Sequence, residues 1–497
     1  MFKKILIANR AEIAHRVIRA CRKLGVTSVA VYSDADAHLP YISAADESCY
    51  LGPSPASESY LNMARLIDLA RRHGADGIHP GYGFLAENAA FARLCESSGI
   101  KFIGPPSTAI ERLGDKRAAK EVATRANVPV VPWFPCAPGD GDAAAAKAAQ
   151  IGYPVIVKPA AGGGGKGMHR AANESELRAA LPRAGREAKA SFGDDALLVE
   201  KFLVNPRHIE VQILADEHGS VLHLFERECS LQRRQQKLLE ETPSVALAPA
   251  QRERICGDAV RIAQTAGYVN AGTCEFLLDT KSGTHYFCEV NTRLQVEHPV
   301  TEMVTGIDLV EQQLRVASGE VLSLKQSDIR QNGAAIEVRI NSEDPFADFM
   351  PSLGYIEAFQ VPEGQGVRVD AGYAAGDSVT PYYDSLLAKL IVHGKDRAEV
   401  VQRQVAALKQ FMVVGVATTI PTHLAIMHDA GFLKGDFHIH YVESRTKEWL
   451  KLDREEDAAV LGALMEYRRL LKTREAQSRA GESHFDPWSS SSLPRVR

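Results

Sequence analysis

The sequence predicts a mixed α/β and α+β fold of about three domains. The chain has 497 residues, of which 45% are hydrophobic and 24% charged, so it can fill several ordinary globular cores of roughly 150 residues each. A strand–helix–strand pattern repeats through the N-terminal part, which is typical of a parallel sheet. A glycine-rich loop and a β-hairpin follow farther along the chain and add antiparallel structure.

The N-terminal segment shows the alternation of strands and helices most clearly. Residues 2–9 are a short apolar run that predicts a buried strand, 12–24 carry a helical stripe of apolar residues, and 27–32 predict a second strand. Such a βαβ unit implies a parallel sheet with a right-handed crossover. The pattern continues with a helix over 58–72, a strand near 77–80, a helix over 86–98 and a strand at 101–104. We therefore predict one open α/β domain over residues 1–113.

Two turns of this domain bear on ligand binding. The first strand–helix turn lacks the G-x-G-x-x-G pattern, so a dinucleotide site has no support there. The glycine-rich turn comes later, at Gly81-Tyr82-Gly83. A loop at this end of a strand faces the ligand crevice of an open α/β sheet, and a simple tight turn explains the same residues equally well. Both interpretations stay open on the residues alone.

A second glycine-rich segment follows a proline-rich stretch, 127–139, that is typical of a connector. Residues 153–158 predict a strand, which leads into Gly162–Gly165 and then Lys166. Glycines expose backbone N–H groups to an anion, so a loop with a lysine at each end predicts phosphate binding. It is not a Walker A loop, because Gly167 stands where Ser or Thr is required. A flexible surface linker is the less favoured alternative.

The predicted hairpin consists of strands at 271–278 and 284–290. If it is centred on Ser282, Glu275 lies directly opposite Glu289. Facing carboxylates destabilise a β-ladder, and a divalent cation would reverse that effect, since Mg²⁺ is usually held by carboxylates and phosphates together. Two unrelated glutamates on a solvated face are the alternative.

From Glu289 to Glu297 every odd position is polar. If the chain stays extended, a period of two places these side chains on one face. Asn291 could add a metal ligand, Arg293 could hold a small oxyanion, and Glu297 could act as a general base. A plain amphipathic strand is the less favoured interpretation. The basic and amide-rich segment 229–237 is typical of a solvated face, with room for nucleotide contacts.

Composition excludes several classes of protein. The 58 basic and 62 acidic residues nearly balance, which argues against a nucleic-acid or membrane-surface binder. No apolar run approaches the ~20 residues that span a bilayer. The eight cysteines include no C-x-x-C pair, and the chain begins directly with a predicted strand rather than a signal peptide. A reducing, cytoplasmic setting is expected.

Six segments together resemble the biotin carboxylase family, the ATP-grasp component of biotin-dependent carboxylases. They are Ile5–Arg10, His79–Leu85, Gly114–Lys116, Gly162–Met168, Arg233–Lys237 and Glu289–His298. The resemblance implies a Rossmann-like pre-ATP-grasp domain at 1–113, an ATP-grasp domain at 114–332 with a mobile lid at about 130–203, and a C-terminal biotin carboxylase domain at 333–446. Residues 447–497 are expected to form a tail that is helical and then disordered.

The resemblance also assigns site residues. Glu275, Glu289 and Asn291 match ligands of Mg²⁺ or Mn²⁺, and Lys237, Arg293, Gln295 and Val296 match the bicarbonate site. Glu297 matches the base that deprotonates bicarbonate, while Tyr82 and Arg339 match the biotin side, where Arg339 stabilises the biotin enolate. The positions that match ATP contacts are Lys116, Lys158, Gly164, Gly165, Met168, Glu200, Lys201, Leu203, His208, Gln232, Gln235, Glu275, Leu277 and Glu289.

The implied chemistry is the ATP- and bicarbonate-dependent carboxylation of biotin. Bicarbonate attacks the γ-phosphate to give carboxyphosphate and ADP, and carboxyphosphate then releases the CO₂ that carboxylates biotin. Phosphoryl transfer needs divalent metal and cations around its transition state, and a lid keeps water from the reactive intermediate. Another ATP-grasp ligase, of the carbamoyl-phosphate or carboxylate–amine type, is one alternative, and a non-catalytic nucleotide-binding protein is another.

The resemblance implies partners as well. The chain contains no Met-Lys-Met segment, so biotin is expected on a separate carrier protein or domain, and a separate carboxyltransferase would choose the final acceptor. A homodimer is expected, with its interface in doubt, because Arg19 and Lys23 are like charges on one helix face and Gln365 replaces a familiar aromatic residue. In two further departures, Ala11 replaces a glycine, which suggests a φ that is not positive, and Gln235 replaces a ribose-binding His or Asn.

Overall fold

The first five strands form one parallel sheet, in a computed structural model that describes residues 1–160 and 167–450. Their order, β3-β2-β1-β4-β5, confirms the predicted open α/β fold. The elements are β1 (Lys4–Ile7), α1 (Ala11–Leu24), β2 (Thr27–Ser33), α2 (Pro40–Ala44), β3 (Glu47–Gly52), α3 (Met63–His73), β4 (Gly77–His79), α4 (Ala89–Ser97), β5 (Lys101–Phe102) and α5 (Ser107–Gly114). Helix α2 and strand β3 were not predicted; α2 has only five residues, too few for a clear helical period.

The strand order reverses between β1 and β4, so the loops after these two strands face each other across a crevice. Asn9, just after β1, donates hydrogen bonds of 2.7 Å to the carbonyls of both Pro80 and Tyr82. Gly81 has a φ of +63°, and a Cβ atom there would lie 2.8 Å from the Asn9 amide nitrogen. The glycine turn is therefore tight because it is clamped against the neighbouring loop, at the edge where a ligand would bind.

A second, smaller sheet is antiparallel and has its own apolar core beneath two helices. Helix α6 (Lys116–Arg125) precedes it, and its elements are β6 (Trp133–Cys136), α7 (Gly141–Ile151), β7 (Val155–Pro159), β8 (His169–Ala171), α8 (Glu174–Phe192) and β9 (Leu197–Lys201). The order is β6-β9-β7-β8. The interpretation of 127–139 as a plain connector is wrong for β6, which tolerates Pro135 because it is an edge strand.

The largest sheet has eight antiparallel strands, in the order β14-β13-β10-β11-β12-β15-β22-β20. It runs without interruption across position 332, where the sequence predicts a domain boundary. Its first elements are β10 (Arg207–Ala215), β11 (Val221–Arg233), β12 (Gln236–Thr242), α9 (Pro249–Ala266), β13 (Asn270–Asp279), β14 (Thr284–Asn291), α10 (His298–Thr305), α11 (Leu309–Ala317) and β15 (Ala334–Asn341). Side chains at the centre of this sheet can therefore come from both predicted domains.

The C-terminal part completes this sheet and covers it with helices. Its elements are β16 (Glu343–Asp344), β17 (Met350–Pro351), β18 (Gly354–Tyr355), β19 (Ala358–Gln360), β20 (Val367–Ala371), β21 (Ser378–Val379), β22 (Leu386–Gly394), α12 (Arg397–Gln410), β23 (Met412–Val414), α13 (Ile420–His428), α14 (Ala430–Lys434) and α15 (Tyr441–Trp449). The predicted tail beyond α15 lies outside the described residues. None of the helices in the described ranges has the length and apolar character needed to cross a membrane.

Candidate active site

The hairpin of β13 and β14 places Glu275 directly opposite Glu289, as the sequence predicts. The turn pairs Asp279 with Thr284, so it is centred half a residue before Ser282. One extra residue in β14, Cys288, forms a bulge between the turn and the two glutamates and restores the predicted pairing. The two carboxylates therefore share one face of the sheet close to a local irregularity.

The two glutamates have different surroundings. Oε1 of Glu275 accepts hydrogen bonds from Lys237 Nζ (2.9 Å) and Asn291 Nδ2 (2.8 Å), and Oε2 lies 3.1 Å from His208 Nε2. Burial alone would raise the pKa of Glu275, but Lys237 and His208 outweigh it and lower that pKa. For Glu289, burial and the charge of Glu275 both raise the pKa.

This donor set fits a hard divalent cation. Glu275, Glu289 and Asn291 offer two carboxylates and an amide oxygen, which are the ligands that Mg²⁺ prefers. Burial is the main cause of the raised pKa of Glu289 and the charge of Glu275 adds to it; a bound cation would offset both effects by attracting the two carboxylates. The residues present therefore fit Mg²⁺ or Mn²⁺ between the hairpin and the phosphates of a nucleotide.

The predicted extended strand from Glu289 to Glu297 is wrong, because the backbone is extended over only the first part of this segment. Strand β14 ends at Asn291, and the chain then turns into α10, which has Pro299 in its first turn. The polar groups nevertheless converge, because Arg293 donates to Asn291 Oδ1 (3.2 Å) and Gln295 Oε1 (3.1 Å). The loop gathers side chains that a regular strand would have spread over a longer distance.

Lys237 is the centre of the site. Its ammonium group donates to three carboxylates, Glu210 (2.6 Å), Glu297 (2.6 Å) and Glu275 (2.9 Å). Glu210 and Glu297 are fully buried. Burial would raise the pKa of Glu297, but Lys237, Arg339 and Arg227 lower it well below its usual range. Glu297 is therefore ionised at neutral pH and held between cations.

Arg339 joins this group from strand β15. Its guanidinium donates to Glu297 Oε2 (2.9 Å) and to Glu240 Oε1 (2.8 Å from Nε). Burial raises the pKa of Glu240 to about 7, although Arg339 opposes the shift. Lys237 and Arg339 thus hold the two oxygens of one carboxylate from opposite sides.

The residues predicted to contact ATP are spread over several elements of the structure. Lys158 (2.8 Å) binds Glu200, as does Lys120 (3.3 Å), which was not predicted, and together they lower the pKa of Glu200 to about 2 against the effect of burial. Gln232 donates to His208 beside the hairpin, whereas Lys201 donates to the carbonyls of residues 152 and 153. The half-buried Lys116, Met168, Leu203 and Leu277 and the exposed Gln235 complete the described set, and Gly164 and Gly165 lie outside the described residues.

Several residues of the site were missed by the sequence analysis. Glu210 and the fully buried Arg227 form an ion pair beneath Lys237, and Glu87 accepts a hydrogen bond of 2.8 Å from Arg293. The alternation His208, Glu210, Gln212 in β10 was a usable signal for a polar strand face. No local pattern points to Glu87, which lies 206 positions before its partner.

Tyr82 occupies the edge of the site on the N-terminal side. Its hydroxyl donates to the buried carboxylate of Glu12, at the start of α1. The suggestion that Ala11 avoids a positive φ is wrong, since its φ is +54°. The chain must turn sharply between β1 and α1 to bring Glu12 under Tyr82, and that geometry is imposed on alanine at a cost of about 1 kcal/mol.

Glu337 is a buried carboxyl group next to this site. It lies opposite Glu240 across β12 and β15, and neither of its oxygens has a hydrogen-bond partner among the described residues. Burial raises its pKa well above the usual range, Lys389 opposes that shift and Glu240 adds to it. The folded state therefore favours the protonated form of Glu337.

Replacing Glu337 by Gln is expected to raise the free energy of unfolding by ~1–3 kcal/mol at pH 8. Because the folded-state pKa is raised, the wild-type protein loses stability as the pH rises above about 4.3, the value of an unfolded glutamate. The amide does not ionise, so the advantage of the variant should shrink toward pH 5. Urea unfolding at both pH values measures this difference. An equal effect at both values, or the same effect from the exposed Glu363→Gln, would contradict the assignment.

Three family models match the chain. They are the biotin carboxylase N-terminal domain over residues 1–110, the ATP-binding domain of the carbamoyl-phosphate synthase L chain over 115–325, and the biotin carboxylase C-terminal domain over 337–444. Together they cover most of the described residues. The two biotin carboxylase models flank the segment that holds Lys237, Glu275 and Glu289.

Relatives match over nearly the same length. Biotin carboxylase 1 of Bacillus subtilis is 49% identical over 444 residues, which are 89% of this chain and 99% of that protein. One of the subunits of the pyruvate carboxylase of Methanothermobacter thermautotrophicus is 51% identical over 443 residues, 89% of this chain and 90% of that protein.

A solved structure shares the fold. It is the biotin carboxylase domain dimer of the Hydrogenobacter thermophilus 2-oxoglutarate carboxylase, in complex with MgADP, ADP and bicarbonate. Its TM-score to this chain is 0.86 at 50% identity, and the match covers 90% of this chain and 99% of that one.

Proposed function

The chain belongs to the biotin carboxylase family, as its motifs predicted, and on that premise we propose that it carboxylates biotin carried on a separate protein or domain, using ATP and bicarbonate. The observation that carries the proposal is the position of Glu297. It is a buried, ionised carboxylate held between Lys237 and Arg339, beside the pair formed by Glu275 and Glu289. A base, an anion site and a metal site are thereby adjacent.

In the first step, we propose that Lys237, Arg293 and the backbone of Val296 bind bicarbonate, with Gln295 beside them. Glu297 takes the proton of bicarbonate, and the oxygen that loses it attacks the γ-phosphate of ATP. Glu275, Glu289 and Asn291 would hold Mg²⁺ or Mn²⁺, which when bound neutralises charge on the phosphates. Lys158, set against Glu200, supplies a further fixed cation on the nucleotide side.

At rest Glu297 is a weak base, because Lys237 and Arg339 stabilise its charge. An incoming bicarbonate anion competes for Lys237, and an incoming biotin competes for Arg339. Each substrate that draws one of these cations away raises the pKa of Glu297 and makes it a better proton acceptor. Substrate binding and base strength are therefore coupled through the same two side chains.

In the second step, carboxyphosphate releases CO₂, and we propose that Arg339 stabilises the negative charge that develops on the ureido oxygen of biotin. Arg339 keeps its charge at any working pH, and Glu240 still holds its guanidinium when biotin competes with Glu297 for it. Tyr82 borders the biotin side, and Gln235 at the tip of the β11–β12 hairpin is assigned to the ribose of ATP.

We propose that the partners are a biotin carrier and a carboxyltransferase, and that the chain forms a homodimer, as the Hydrogenobacter domain does. Arg19 and Lys23 are not an obstacle to such an interface. Arg19 binds Asp370 (2.5 Å) and Lys23 binds Glu311 (2.7 Å) within the chain, so their charges are already compensated. Gln365 is exposed and lies two positions before β20, the strand that carries Asp370.

The proposed function predicts that ADP release requires bicarbonate and Mg²⁺ or Mn²⁺, and that label from ¹⁴C-bicarbonate enters free biotin. Chelation should abolish turnover and added metal should restore it, because the facing glutamates need a cation to position the phosphates. Turnover that depends on ammonia or glycine instead would favour the alternative ligase. Nucleotide binding without any turnover would favour the non-catalytic alternative.

A further inference from the structure

Lys389 is a fully buried lysine that touches two segments far from it in sequence. It lies on β22, and its ammonium group donates to the carbonyl of Val296 (2.9 Å) and lies 3.2 Å from Oε1 of Glu12. The three residues fall in the segments matched by the C-terminal, the ATP-binding and the N-terminal family models. One side chain therefore connects all three parts of the protein at a single point.

On one side of Lys389 lies the peptide between Val296 and Glu297. A peptide unit is planar, so a hydrogen bond to its carbonyl also fixes the direction in which Glu297 leaves the chain. This peptide sits in the turn between β14 and α10, outside any strand ladder. Lys389 thus holds a peptide that no strand ladder fixes.

On the other side lies Glu12, which is 2% exposed and accepts the hydroxyl proton of Tyr82 in a hydrogen bond. The backbone of Glu12 is pressed against Gly372, where a Cβ atom would lie 2.6 Å from the Glu12 nitrogen. The preceding Ala11 accepts a φ of +54° to make this contact. Glu12 is therefore held in place at a conformational cost, as expected for a residue that must meet its partner accurately.

We propose that Lys389 is a positioning residue that holds the bicarbonate segment directly and Tyr82 through Glu12, so that the two substrate sites keep one relative arrangement. This inference rests on the proposed function. Lys389 is assigned no contact with either substrate, since its ammonium is occupied by the Val296 carbonyl and Glu12. Its effect is on geometry, and a small displacement of a reacting group can cost a large factor in rate.

A purely structural ion pair is the competing explanation, and Arg397 provides a matched control for it. Arg397 also joins a buried carboxylate, Glu241 (2.8 Å), to a backbone carbonyl, that of Phe432 (2.9 Å). It is the first residue of α12 and contacts none of the residues assigned to the proposed site, although its partner Glu241 follows Glu240 in β12. Loss of Arg397 should therefore cost about as much stability as loss of Lys389, but it should leave the arrangement of the bicarbonate segment and Tyr82 unchanged.

In steady-state assays of the full chain, Lys389→Met is expected to raise the KM for bicarbonate roughly tenfold and to lower kcat by a similar factor. The KM for ATP should stay within about twofold of wild type, because Lys389 touches no nucleotide residue. Lys389→Arg should recover part of the loss, since it can still donate to Val296. Arg397→Met should change none of these constants beyond about twofold.

Equal changes in Lys389→Met and Arg397→Met, or a rise in the KM for ATP as large as that for bicarbonate, would overturn the positioning role. If Lys389→Met does not fold, Glu12→Gln is decisive, because it keeps the volume but weakens the link to Tyr82. It should raise the KM for biotin several-fold and leave that for ATP unchanged, and an unchanged KM for biotin would refute the link. Wild-type protein without bicarbonate-dependent turnover would instead refute the proposed function.

Discussion

Replacing Glu297 by Gln is expected to lower bicarbonate-dependent ATP turnover by roughly 10²–10⁴-fold, while ATP binding stays near the wild-type level. The amide keeps the size and one acceptor oxygen of the side chain but cannot take a proton. Glu297 makes no contact with Lys158, Lys120 or Glu200, which form the nucleotide side of the site. The effect should therefore fall on kcat, with the Kd for ATP measured separately by calorimetry.

The matched control for this prediction is Glu210→Gln. Glu210 is also fully buried and also accepts a 2.6 Å hydrogen bond from Lys237, but it makes no contact with Arg339. Removing its charge takes one carboxylate from Lys237, as Glu297→Gln does, and one from the buried Arg227 as well, but it removes no proposed base. A loss in Glu210→Gln equal to that in Glu297→Gln would mean that the charge balance around Lys237, rather than proton transfer, sets the rate.

The pH dependence of the wild-type protein belongs to the same argument. The pKa of Glu297 lies well below its usual range, so the base is already ionised throughout the neutral region. Its stabilising ion pairs are present above the pKa of an unfolded glutamate and are lost only when the pH falls through the folded value. Glu297 should therefore stay ionised in the substrate-free protein between pH 6 and about 8, and kcat/KM for bicarbonate should show no loss from this group across that range.

A hairpin that carries Glu275 and Glu289 on its two strands could be predicted from local information, the turn and the alternation of its strands. The bulge at Cys288 could not, although it decides whether the two carboxylates meet. The predicted turn centre was half a residue too late, and the extra residue, Cys288, shifts the register by the amount that corrects this error. The predicted pairing of Glu275 with Glu289 is therefore correct because of a bulge that could not be predicted from the sequence.

The five polar residues from Glu289 to Glu297 illustrate the opposite case. Their chemistry was recognised, but the regular strand that was expected to align them ends at Asn291. Glu297 is held by Lys237 from β12 and by Arg339 from β15, and these contacts span 42 to 60 positions of sequence. Residues such as Glu87, Glu240 and Lys389 carry no local pattern at all, because a buried charge is revealed only by the partner that neutralises it.

Replacing Arg339 by Met is expected to lower carboxylation of biotin by about 10²–10³-fold, the usual cost of removing a fixed charge from a developing oxyanion. ATP turnover that depends on bicarbonate alone should persist. Without Arg339, the pKa of Glu297 rises but Lys237 and Arg227 still hold it, and a slightly stronger base does not impede the first step. Incorporation of ¹⁴C-bicarbonate into biotin and release of ADP, measured on one sample, separate the two steps.

The Arg339→Met variant should still fold, because Glu240 can become protonated when it loses its partner. Burial has already raised the pKa of Glu240 to about 7, and loss of Arg339 would raise it further, so that Glu240 binds a proton instead of remaining as an unpaired charge.

Two control variants test the role of Arg339. Arg339→Lys keeps a charge but loses the simultaneous contact with Glu240 and Glu297, and should recover only part of the carboxylation. Glu240→Gln frees Arg339 from one carboxylate and should leave carboxylation within about tenfold of wild type. If ADP release and carboxylation fall together in Arg339→Met, then Arg339 acts on the bicarbonate step through Glu297, and its assignment to the biotin oxyanion is wrong.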